Sequence, residues 1–195
     1  MERRLTLDLM LDIAALALAI CAVTSLLVAP AGAGGDSAQK PGTACDAPAR
    51  HQFDFWLGEW DVRDATGKLV GRNRITRVEG GCALQEQWSG NGGVTGTSLN
   101  VFDVDRNRWH QTWVDNTGGL LLLDGAFTDG RMVLSGQAAA APGAPAQQQR
   151  IAWQALADGR VRQLWESSGD GSAWSVVFDG YYTRRPAAPM RGAVE

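Results

Sequence analysis

Glu86 sits among apolar neighbours. Cys82, Leu84, Glu86 and Trp88 alternate along a β-prone run, while Ala83, Gln85, Gln87 and Ser89 take the other face. The first set is the more apolar, so alternation predicts that it points inward and buries the Glu86 carboxyl. A buried carboxylate needs a partner or takes a raised pKa. Arg72 and Arg74 share a face of the neighbouring run and are expected to supply the countercharge. The pair then has two readings, a structural ion pair or a ligand anchor. A third reading makes Glu86 a general acid or base tuned by burial.

The eight tryptophans all fall between positions 56 and 174. Each buries a large area, so filling the core is one use for them. Trp109, Gln111 and Trp113 share one strand face, which sets a polar group between aromatic walls. Val161, Gln163 and Trp165 share another, with Leu164 and Glu166 opposite, where Glu166 reads as a solvated charge. Mostly apolar walls with a few placed polar groups are the makeup of a ligand pocket. The expected lining is Trp60, Trp88, Trp109, Trp113 and Trp165. Glu86, Gln111, Gln163 and one of Arg72 or Arg74 would orient the ligand. A small, largely apolar molecule is the expected partner; a solidly filled structural barrel is the alternative.

Other chemistries find little footing. His51 and His110 are the two histidines. His110 alternates opposite to Trp109 and Trp113, so it points outward if they point inward, and no second ligand at metal spacing stands near it. No catalytic residue and no cofactor is expected. Ser89, Ser98, Ser135 and Ser175 lack a Gly-x-Ser-x-Gly context. The formal net charge of −3 and the presence of two lysines, Lys40 and Lys68, give no surface for a polyanion, so nucleic acid is not an expected partner.

The elements that must position these residues read as strands. Ten β-prone runs, about 56–63, 69–78, 82–89, 97–103, 108–114, 119–127, 131–137, 150–156, 161–167 and 174–183, alternate with Gly, Asn and Asp turns. Asp129-Gly130 and Asp158-Gly159 suit tight hairpins. Residues 138–149, AAAAPGAPAQQQ, read as a floppy low-complexity loop. Ten short antiparallel strands with little helix must hide their edges, and a closed barrel does so fully. The expected fold is therefore all-β: one antiparallel up-and-down barrel of about ten strands, of a size that can hold one small ligand.

Gly58-x-Trp60 on the opening strand resembles the lipocalin-type signature of the calycin superfamily, in which the Trp packs across the closed end of the barrel. The longer string FDFWLGEWDV (53–62), with Gly81-Cys82-Ala83-Leu84 and Trp109-His110-Gln111-Thr112-Trp113-Val114-Asp115, resembles a family of secreted bacterial proteins known as a domain of unknown function. The likeness covers about residues 51–184. It implies a calycin-like, lipocalin-like barrel and no particular activity. The nitrobindin-like calycins bind haem through one histidine, which makes His110 the residue for that alternative.

The start of the chain reads as an address. Arg3 and Arg4 precede an apolar run over 13–29, and Ala31-Gly32-Ala33 offers a small-x-small cleavage site. Residues 1–33 are expected to be a signal peptide cleaved after Ala33. A retained anchor is the alternative, since seventeen apolar residues only reach the lower limit for a span. Residues 34–50 read as a flexible leader, 51–185 as the barrel and 186–195 as a disordered tail. The expected location is periplasmic or secreted, with no membrane partner once the signal is removed. Cleavage leaves two cysteines, Cys45 and Cys82, and an even count in an oxidising compartment predicts one disulfide.

Overall fold

The computed structural model describes residues 45–139 and 143–186. The expected signal peptide, the leader up to residue 44 and the tail from 187 lie outside the described residues. Ten strands follow one another: β1 Gly58–Asp64, β2 Leu69–Val78, β3 Ala83–Gly90, β4 Thr95–Asp103, β5 Arg108–Asp115, β6 Leu120–Thr128, β7 Arg131–Ala139, β8 Ala146–Ala155, β9 Val161–Ser168 and β10 Ser175–Arg184. Each pairs antiparallel with the next, and β1 closes on β10 with Trp60 opposite Arg184 and Asp64 opposite Gly180. Closure leaves no sheet edge unpaired. This is the all-β, up-and-down, ten-strand barrel that the sequence predicts.

Turn chemistry shapes the corners. The β6–β7 hairpin uses Asp129 and Gly130, both at positive φ (50° and 73°), the backbone a two-residue turn matched to strand twist requires. Residues 138–149 depart from the expected floppy loop. Ala138 and Ala139 belong to β7 and residues 146–149 to β8, paired Ala138 to Gln147 and Ala139 to Ala146. The ladder overrides the weak β preference of Ala and Gln, because each added residue pair satisfies backbone groups against a neighbouring strand.

One barrel end is plugged. Two 3₁₀ turns, Pro48–His51 and Asp54–Trp56, bring Phe53 and Trp56 beneath the strands, and both side chains are fully buried. Phe53 stacks on Trp56 at 4.8 Å and meets Trp109 and Trp153 edge-on at 5.8 and 5.3 Å. Trp60 Nε1 donates to the Trp56 carbonyl at 2.9 Å, and the Arg184 guanidinium lies 4.4 Å over the Trp60 ring. Gly58, at φ 137°, is where Arg184 crosses; a Cβ there would be strained and would meet Arg184 Nη1. The Cys45–Cys82 disulfide ties the plug to the corner between β2 and β3, with its Cα atoms 4.9 Å apart.

Candidate functional site

Above the plug the barrel is not filled. A cavity of about 280 Å³ remains between the plug and the opposite end. Trp88, Trp113, Trp153, Trp165, Phe178 and Tyr182 form aromatic walls, joined by Leu121 and Ile151. Its mouth lies by the turns that follow β3 and β5, where Val94, Asp115 and Val177 line it. Val94 and Val177 are exposed there.

Glycine is what keeps the centre open. A Cβ on Gly71 would collide with the Trp88 ring, one on Gly96 with Trp113, and one on Gly180 with Phe178; one on Gly90 would meet the Val94 carbonyl oxygen at 2.9 Å and Trp88 Nε1 at 3.0 Å. Each large ring therefore lies back against a bare stretch of wall instead of reaching across the lumen. Glycine in a strand costs packing and entropy and marks a close approach. Here the close approach is an aromatic ring.

The polar part of the lining gathers around Glu86, which alternation buries as expected, at 5% exposure. Asn73 Nδ2 donates to Glu86 Oε1 at 2.7 Å and Ser98 Oγ donates to Oε2 at 2.7 Å. Asn100 Nδ2 donates to Ser98 Oγ at 2.9 Å, and Gln111 Nε2 donates to Asn100 Oδ1 at 2.7 Å. The Tyr182 hydroxyl accepts from Asn73 at 3.3 Å and donates to Gln163 Oε1. Burial pushes the Glu86 carboxyl up from its ordinary value, and the bonds from Ser98 and Asn73 only partly offset it. Burial, with Glu86 nearby, also pushes the Tyr182 phenol well above its usual range.

The expected countercharge is not there. Arg72 and Arg74 are 60% and 59% exposed on the outer surface, facing Asp61 at 3.4 Å and Glu59 at 3.8 Å on β1. The interior face of β2 is Gly71, Asn73 and Ile75, all buried. The physical reason is cost: amides and hydroxyls satisfy a carboxyl without desolvating a guanidinium as well. Two further expectations change. Trp60 and Trp109 are buried in the plugged end and are not among the cavity-lining residues. Trp60 bonds to the Trp56 carbonyl, and Trp109 Nε1 donates to Gln52 Oε1 at 3.0 Å, so the 3₁₀ segment claims both. Trp88, Gln111, Trp113, Gln163 and Trp165 do line the cavity with Glu86. Glu166 points outward as expected but is not simply solvated: it accepts from Arg150, whose guanidinium also stacks 4.1 Å over Trp174.

Trp153, Phe178 and Tyr182 line the cavity without having been singled out in the sequence, and Asn73 and Ser98 hold Glu86. The signal lay in alternation, Ile151 with Trp153, Phe178 with Gly180 and Tyr182, and Asn73 between Gly71 and Ile75. His110 lies on the outer face. Its Nδ1 meets Asp124 at 2.8 Å and its Nε2 meets Thr112 Oγ1 at 2.9 Å, so both ring nitrogens are engaged outside the barrel. The cavity therefore gives the haem alternative no histidine. No family model matches this sequence, and no curated protein matches it.

Proposed function

We propose that the protein is an exported binder of a small, largely apolar molecule held inside the barrel. The single observation that carries this reading is the cavity of about 280 Å³, walled by six aromatic side chains and open at one end. Mostly apolar walls with a few convergent polar groups, here Glu86, Gln111 and Gln163, characterise small-molecule sites. A well-packed interior has few voids larger than water, so a space this size is unusual as mere packing error. The plug with Trp60 across it supports the calycin-like resemblance. The Cys45–Cys82 bridge supports a periplasmic or secreted location, because disulfides persist in oxidising compartments.

Native mass spectrometry of the protein purified from the periplasm or medium of cells that make it tests this. The expected spectrum shows a bound mass that is lost on denaturation. Ligand-free protein that also takes up no added apolar compound would refute the reading. Glu86 also supports a second reading, a general acid inside the cavity, because burial raises its proton affinity. Chemical turnover of the bound compound, lost in Glu86→Gln, would distinguish that reading from carriage alone.

A further inference from the structure

We propose that the cavity selects a small organic cation, an arylalkyl amine, whose ammonium group lies against Glu86 while its ring lies between the tryptophans. The inference rests on the cavity being a binding site and adds the charge of what enters it. Three observations converge. First, among the described residues the charged side chains lining the cavity are Glu86 and Asp115, and no basic one lines it. Arg72 and Arg74, on the neighbouring strand, face solvent on the far side of β2, and Arg77 pairs with Asp54. A carboxylate ligand such as a fatty acid would meet an acidic group with no cation to pair with, an arrangement that is strongly disfavoured in a buried site.

Second, Glu86 is incompletely used. Each of its oxygens accepts one bond, from Asn73 and from Ser98, although a carboxylate has about four acceptor positions. Those donors are neutral, so among the described residues none provides a countercharge. An ammonium would provide one, with donors for the remaining positions. Asp115 at the mouth is held by Thr117, Trp113 and Gly119, which keep its carboxyl low, at about 2, so it carries its charge where a cation would enter.

Third, the walls suit a cation and its ring. Trp88, Trp113, Trp165 and Tyr182 line the same cavity as Glu86. Ring faces attract ammonium groups, most strongly when desolvated, and aromatic enclosures are a recurring way to hold amines. The volume of about 280 Å³ corresponds to roughly nine waters at about 30 Å³ each, room for one ring and a short chain.

The test is isothermal titration of the intact mature protein with three probes of similar shape: 2-phenylethylamine, 2-phenylethanol and phenylacetate. The expected order is amine tightest, alcohol weaker by about tenfold or more, and carboxylate weakest, from the value of a hydrogen bond to a charged group. Glu86→Gln should collapse the preference for amine over alcohol. If that variant does not fold, the wild-type order alone decides. Alcohol binding as tightly as amine, carboxylate binding tightest, or a preference that survives in Glu86→Gln would each overturn the cation assignment and leave the cavity reading standing. Binding of none of the three would overturn both.

Discussion

Replacing Glu86 by Gln should alter stability in a pH-dependent way, and the direction follows from the geometry. The side chain is 5% exposed and accepts from Asn73 on β2 and Ser98 on β4, and the side chains linked to these two are neutral as well: Asn100 on β4, Gln111 on β5, Tyr182 on β10 and, through Tyr182, Gln163 on β9. None supplies a positive charge. Burial therefore raises the carboxyl's pKa above the value of 4.5 expected in the unfolded chain. Between those two values the folded protein binds more protons than the unfolded chain, so stability falls as pH rises. The favourable contribution is complete below the unfolded pKa and is lost as pH climbs through the folded one. Gln does not titrate. It can turn Oε1 toward Asn73 Nδ2 and Nε2 toward Ser98 Oγ, keeping both contacts. Relative to wild type, Glu86→Gln should therefore gain stability with rising pH, by up to about 1.4 kcal/mol per pH unit within the window. Urea unfolding of both proteins across a pH series reads the difference directly. A difference that does not change with pH, or one that moves against Gln as pH rises, would refute the claim that the carboxyl is buried without a cation.

Other expectations follow from the same geometry. Gly96→Ala places a methyl in the Trp113 ring and 2.8 Å from the Val114 carbonyl oxygen. It should cost about 1–3 kcal/mol by overpacking and alter the near-ultraviolet circular dichroism of the tryptophans. Unchanged stability would mean the ring does not lie on that glycine. Reducing the Cys45–Cys82 bridge, which spans 37 residues, should lower stability by about 3–4 kcal/mol, seen as a lower Tm with reductant. Arg74→Ala should change stability by less than about 1 kcal/mol, because its pairing with Glu59 is exposed. A loss of several kcal/mol in that variant's denaturation curve would return the arginine to the interior.

The barrel was legible because period-two alternation and turn residues are local signals. Ten runs bounded by Gly, Asn and Asp leave few all-β solutions that hide every edge. Inward direction was legible wherever one face was clearly the more apolar, as with Leu84, Glu86 and Trp88. On β2 the demand of a buried Glu86 for a countercharge points to Arg72 and Arg74, whereas neutral groups meet that demand. The alternating set Gly71, Asn73 and Ile75 was the better interior, and Glu59 and Asp61 on β1 offered the arginines partners outside. Trp60 and Trp109 face inward, but height along the barrel axis decides whether an inward side chain meets plug or cavity. That height depends on where the 3₁₀ segment with Phe53 and Trp56 docks, a non-local fact that strand periodicity does not carry. The same holds for the cavity itself. Glycines at 71, 90, 96 and 180 read as weak strand positions until register sets a ring over each.

Carriage inside the barrel requires that the space among the tryptophans be open and admit an apolar molecule. A crystal structure of the mature protein soaked in bromobenzene tests it most directly, because bromine can be located by its anomalous scattering. A bromine peak is expected inside the barrel, in the cavity lined by Trp113, Trp153, Trp165 and Glu86. An interior closed by side chains, with bromine confined to the outer surface, would contradict it.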